Sequence, residues 1–204
     1  PIGAIVGARR VTLHERCIRF IVFFLQQYGS GQPTQQAPRY TAVDNTYTGL
    51  AIAMTPANII LSGRAGDPDF HLSTYQLGAG PAVVFCHGFP DIALGWQHQL
   101  RAVAEAGFHA IAPDMRGYGG SSCPQPVDEY SMAELTGDLV ALLDAPELDK
   151  AVFVGHDWGG FSAWAMPVLH PDRVAGIAAA CTPYIPFPTV SMHAALVAGD
   201  VERQ

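Results

Sequence analysis

Residues Gly155-His156-Asp157-Trp158-Gly159-Gly160 place a carboxylate between glycines two positions away on either side. The segment joins an apolar run, Ala151 to Val154, to a stretch with helical apolar period that ends near Leu169. A sharp strand-to-helix turn of this kind lifts one side chain above a sheet, and it closes so tightly that only small residues fit two positions before and after. It also opens a helix, whose free N–H groups and positive dipole end face the raised group. The usual occupant is a serine, which attacks carbonyls. A carboxylate is already ionised at neutral pH and can attack a saturated carbon directly, giving an alkyl ester of Asp157. Hydrolysis of that ester builds an oxyanion, which needs a pair of backbone donors. The N–H of Trp158 is one candidate. The N–H of Phe89 is the other, in the loop His87-Gly88-Phe89-Pro90 that follows the apolar run Ala82 to Cys86. Aspartate is also a favoured helix N-cap, and G-x-D-x-G by itself does not separate the two roles. The conjunction with HGFP after one strand, and with Asp114–Ser121 (DMRGYGGS) after the next, favours the nucleophile.

The elements that must position these groups follow from the apolar pattern. Phe70 to Leu77 alternates and predicts a strand. Ala82–Cys86, Phe108–Ala112, Ala151–Val154 and Val174–Cys181 are continuous apolar runs, as expected for strands buried in a parallel sheet. Leu94 to Ala106 predicts a helix ended by Gly107. Ser131 and Glu134 have capping-box spacing before a helix that runs to about Leu143. Strands alternating with amphipathic helices predict an α/β fold, a doubly wound, mostly parallel sheet with helices on both faces. Functional groups then belong at the carboxyl ends of the strands. The core is expected over residues 69–188. Residues 1–68 are expected to be an N-terminal extension, uncertain or partly disordered, with a Gln/Pro/Gly/Thr-rich linker at 29–42.

Composition narrows the function. Hydrophobic residues make up 49% and charged residues 14%, with a net charge of -7 and no block of like charges. That argues against nucleic acid or an anionic membrane surface as partner. The apolar run Ile18–Leu25 is too short to span a bilayer, although Arg9 and Arg10 before it give it a signal-like character. Cys17, Cys86, Cys123 and Cys181 form no CxxC pair and no cluster at metal-ligand spacing, so no metal is expected. Cys86 and Cys181 are expected to be small buried hydrophobes. The cysteine usage points to a reducing, cytoplasmic setting.

From about Asp69 to Pro188 the chain resembles the epoxide hydrolase branch of the α/β-hydrolase superfamily. The matching segments are HGFP at His87–Pro90, DMRGYGGS at Asp114–Ser121, GHDWGG at Gly155–Gly160 and CTPY at Cys181–Tyr184. The resemblance implies that Asp157 is the nucleophile and that the backbone of Phe89 and Trp158 forms the oxyanion hole. It implies that His87 and Pro90 shape the oxyanion loop and that His156 supports the elbow. Asp114 and Arg116 would organise their loop, Tyr118 would line the substrate site, and Trp96 and Trp164 would pack helices. The implied reaction opens a small apolar epoxide with water to a vicinal diol, without a cofactor.

The family completes its machinery later in the chain, with two cap tyrosines, a carboxylate and a histidine. Here the sequence ends at Gln204, and residues 189–204 correspond to the start of the cap. The sheet is therefore expected to be incomplete at its C-terminal side, with Val174–Cys181 as an apolar edge, and these 204 residues alone are expected to be inactive. Two other readings stand beside epoxide hydrolysis. A haloalkane or haloacid dehalogenase would use the same aspartate, but resembling dehalogenases usually carry Asn or Glu at the position of Phe89, or Arg at that of Trp158. The other reading is a truncated, non-catalytic product.

Overall fold

The computed structural model describes residues 55–61 and 64–184. The predicted N-terminal linker and the start of the cap lie outside these residues. Six strands form one sheet: β1 Ala57–Ile60, β2 His71–Leu77, β3 Ala82–Cys86, β4 His109–Pro113, β5 Ala151–His156 and β6 Val174–Ala180, in the order β1-β2-β4-β3-β5-β6. β4, β3, β5 and β6 are parallel neighbours, and β1 and β2 add antiparallel strands at one side. The predicted mostly parallel α/β sheet is the one observed.

The apolar run AVVFC is buried along its whole length because helices cover both sheet faces. Alternate residues of β3 divide between them. Val84 and Cys86 pack with Leu139, Leu142 and Leu143 of helix α2 (Met132–Asp144) and with Ala163 and Met166 of helix α3 (Trp158–Leu169). Val83 and Phe85 face Leu100 and Val103 of helix α1 (Gln97–Glu105) on the other side. The period-two placement of side chains on a strand makes this division automatic. Burial pushes the Cys86 thiol up to about 12, which leaves it an inert space-filler.

Three details depart from expectation. The helix predicted from Leu94 begins with a 3-10 turn, Ala93–Trp96, before α1. Ser131 caps α2 as expected, its hydroxyl accepting from the Glu134 N–H, but the Glu134 carboxylate turns to Arg64 and Arg116 instead of closing the box. Cys181 is exposed, at φ +58°, because it lies one residue past β6 where the chain leaves the sheet. In addition, the folded body takes in residues before 69. β1 pairs with β2, and Arg64 reaches across to Asp138 and Glu134. β1 is mostly exposed, so it carries no burial pattern by which its sequence could announce it. Among the described residues β6 pairs on one side only, with β5.

A buried ion cluster ties the loop after β4 to α2. Arg116 is 1% exposed. Its Nε and Nη2 donate to the two oxygens of Asp138, each at 2.7 Å, and its Nη1 donates to the Glu129 carboxylate at 2.9 Å. The guanidinium also stacks over the Phe70 ring, 4.6 Å from its centroid. Burial opposes the Arg116 charge, and the Asp138 bonds more than offset it, so its pKa rises further. Removing Asp138 would take from the buried guanidinium its two-point partner, and breaking a buried ion pair typically destabilises by about 3–5 kcal/mol. Asp138→Ala should therefore lower stability by about that amount in urea unfolding, whereas Asp144→Ala, at the exposed Arg173 pair, should change it by less than about 1 kcal/mol. Equal losses would contradict the cluster's role.

Candidate active site

The site is built where β3 and β5 end level. Their register pairs Cys86 with Gly155, so the HGFP loop and the Asp157 turn leave the sheet side by side. Asp157 sits between β5 and α3 at φ +54°, ψ −121°. A non-glycine residue there carries strain of about 1–3 kcal/mol and persists only where its surroundings impose it. The surroundings are the glycines. A Cβ on Gly155 would strike the Gly159 carbonyl, one on Gly159 would strike the Cys86 carbonyl, and one on Gly160 would strike Thr182. Gly88 is equally constrained, since a Cβ there would meet the Asp157 side chain.

The carboxylate stands at the carboxyl edge of the sheet, partly exposed. The Phe89 N–H donates to Asp157 Oδ1 at 2.9 Å, and the Trp158 N–H also bonds the carboxylate. These two bonds, the Phe89 bond first, hold the Asp157 pKa below its ordinary value, with a smaller contribution from the neighbouring charge of His156. The aspartate is thus ionised, and two backbone donors converge on it. The side chains of these two donor residues, Phe89 and Trp158, are 65% and 52% exposed.

His87 is buried, and its protonation follows from its partners. Nε2 accepts from the Met115 N–H at 2.9 Å, so the proton belongs on Nδ1, which donates to the Gly88 carbonyl at 2.9 Å. The ring thereby links the loop after β4 to the loop after β3. Tyr118 packs edge-on against it, with centroids 5.0 Å apart. Tyr118 also helps to line a cavity of about 130 Å³ beside Trp158, Gly88 and Ser162. The Phe89–Pro90 peptide is cis. His156 is half-buried at the end of β5.

The neighbouring polar groups bond within the fold. Asp114 accepts from the N–H groups of Ala93 (2.8 Å) and Gly120 (2.9 Å), which pins its own loop. Trp96 packs on Phe85, and Trp164 donates from Nε1 to the Thr182 carbonyl. His170 ends α3 and bonds Thr136, one helix length, or roughly 18 Å of rise, from Asp157. Among the described residues no group of His, Cys, Asp and Glu could hold a metal ion. Thr182 lies within the CTPY segment, but the sequence reading gave it no role. Its Oγ1 donates to the Asp157 carbonyl at 2.9 Å.

Comparison with known proteins gives the family. The model of the alpha/beta hydrolase fold family matches residues 81–202, and the chain belongs to that family. It is 52% identical over 106 residues to epoxide hydrolase A of Mycobacterium tuberculosis, a match covering 52% of this chain and 33% of that protein. It is 46% identical over 125 residues to bifunctional epoxide hydrolase 2 of Sus scrofa, covering 61% of this chain and 22% of that one. The crystal structure of epoxide hydrolase A from Mycobacterium thermoresistibile superposes with a TM-score of 0.63 at 40% identity, over 71% of this chain and 44% of that one. An epoxide hydrolase from Vigna radiata superposes with a TM-score of 0.63 at 31% identity, over 71% and 46%. The chain thus spans about a third of the length of its bacterial relative and under half of the solved structures.

Burial penalises the charged ring and lowers the His87 pKa, against the opposing pull of the Gly88 carbonyl and of the Asp114 and Asp91 charges. The unfolded chain then takes up a proton that the folded one refuses. This stabilisation is complete above the ordinary histidine value of about 6.5 and is lost as pH falls through the folded value. The melting temperature of the parent should fall between pH 7.5 and 5 more steeply than that of His87→Gln. Parallel curves would contradict a buried neutral His87.

Proposed function

We propose that the site performs epoxide hydrolysis through an alkyl ester on Asp157. The observation that carries this reading is the ionised carboxylate on a strained elbow, with the N–H groups of Phe89 and Trp158 already directed at it. The resemblance to epoxide hydrolases over the same segment supports it. The exposed apolar side chains of Phe89 and Trp158 suit a small apolar epoxide.

In this reading Asp157 Oδ1 stays with its backbone donors while Oδ2 attacks an epoxide carbon. The new bond is Oδ2–C, the ring C–O bond breaks, and the ring oxygen leaves as an alkoxide that must gain a proton. Water then adds to the ester carbonyl carbon and gives its proton to a base. The negative charge develops on Oδ1, where Phe89 and Trp158 donate, and collapse of that intermediate expels the diol and restores the carboxylate. One oxyanion donor of this kind is worth about 10²–10³ in rate. His87 and His156 support the loop and the elbow. His87 is unsuited to the role of base because both of its ring nitrogens are engaged within the scaffold.

General acid–base groups contribute about 10²–10⁴-fold, and the 204 residues by themselves are proposed to stall, at most, at the ester. Incubation with styrene oxide, followed by intact mass and by chromatography for diol, tests both parts. A slow single adduct, absent in Asp157→Ala, is expected. Multiple turnovers of diol abolished by Asp157→Ala would confirm the nucleophile and overturn the stall. Parent and Asp157→Ala adducts in equal amount would overturn the nucleophile.

A further inference from the structure

We propose that Thr182 is a positioning residue for the oxyanion hole: by holding the Asp157 carbonyl, it aims the Trp158 N–H at the carboxylate. The catalytic meaning of this role rests on the reading of Asp157 given above.

The C=O of Asp157 and the N–H of Trp158 belong to one planar trans unit and point in opposite directions. Fixing one fixes the other. The Asp157 carbonyl accepts from Gly160 N at 3.0 Å and from Phe161 N at 3.3 Å, both within the turn and helix that follow it. The third donor, Thr182 Oγ1 at 2.9 Å, comes from a different element, the segment after β6. It therefore ties the orientation of this peptide to the sheet rather than to the helix alone.

The surroundings show that the contact is built. The β5–β6 register pairs His156 with Ala180, which brings Thr182 alongside the turn. Thr182 is 5% exposed, and its own carbonyl accepts from Trp164 Nε1 at 3.0 Å, so α3 is gripped at two points. Gly160 leaves the space that Thr182 fills, since a Cβ there would collide with the threonine hydroxyl. A donor on the carbonyl also polarises the peptide and strengthens the N–H at its other end as a donor. Phe89, the partner donor, needs no such help, because it sits on the opposite loop.

The alternative is that Thr182 only closes the end of β6, where its hydroxyl also lies 3.3 Å from the Ala180 carbonyl. The Asp157 titration separates the two, because the Trp158 N–H is one of the groups that hold it down. The neighbouring ionisable group is His156 on β5, so each variant is also measured with His156→Gln. The chain would be labelled with ¹³C at aspartate γ-carboxyls, with the Asp157 signal assigned by its loss in Asp157→Asn. Thr182→Val, nearly isosteric but without the donor, should move the midpoint up towards the ordinary aspartate value, and Thr182→Ser should return it to that of the parent. Should Thr182→Val fail to fold, Trp164→Phe, which frees the Thr182 carbonyl, should shift the midpoint in the same direction by less. A parent midpoint in folded Thr182→Val or, if that variant does not fold, in Trp164→Phe would overturn the proposal, as would a Thr182→Ser shift as large as that of valine. Styrene oxide adducts in equal amount on the parent and on Asp157→Ala would instead overturn the nucleophile while leaving the titration to judge Thr182.

Discussion

The approach of two backbones, the end of β3 against the turn after β5, is the contact on which the site depends. Gly159 lies so near the Cys86 and His87 carbonyls that no side chain fits between them, and Gly88 lies as close to Asp157. That proximity puts the Phe89 N–H within hydrogen-bond distance of Oδ1. The strain at Asp157 follows from it as well. The chain must reverse within the space that the β3 loop leaves free, and φ +54° is the conformation that does so. Functional strain of this kind is sustained by the packing around it rather than by the residue itself.

The rest of the described fold holds that contact in register. Parallel pairing of β3 with β5 along five residue pairs sets the level of the two strand ends. The neutral His87 ring joins the loops after β3 and β4, and Asp114 secures the second of these from inside. Arg116 then anchors the same loop to α2 through Asp138. On the other flank Thr182 and Trp164 join α3 to the end of β6. Each link is a polar group satisfied at both ends. Buried polar networks of this type rigidify a structure when complete and destabilise it when broken.

What was legible in the sequence divides along physical lines. The parallel core could be read because strands buried on both faces are continuously apolar, and Ala82–Cys86 and Ala151–Val154 have no other clear explanation. The elbow could be read because its glycines answer a steric demand that is local in sequence. β1 could not, since an exposed edge strand has no pattern to show. The Arg64–Glu134–Arg116–Asp138 cluster and the Thr182 contact were equally hidden. They join residues 70, 18, 22 and 25 or more positions apart, and nothing in either partner's neighbourhood signals the other. Cys181 shows the opposite error, an apolar run extended one residue past the point where the chain leaves the sheet.

The central claim is that two backbone donors hold one ionised aspartate. The most direct test follows the amide signals of Phe89 and Trp158 by two-dimensional NMR as the solution is acidified. Both amide protons should shift together, with a common midpoint below the ordinary aspartate value, as the carboxylate that accepts from them is neutralised. Amides that do not respond, or that respond at unrelated midpoints, would contradict it.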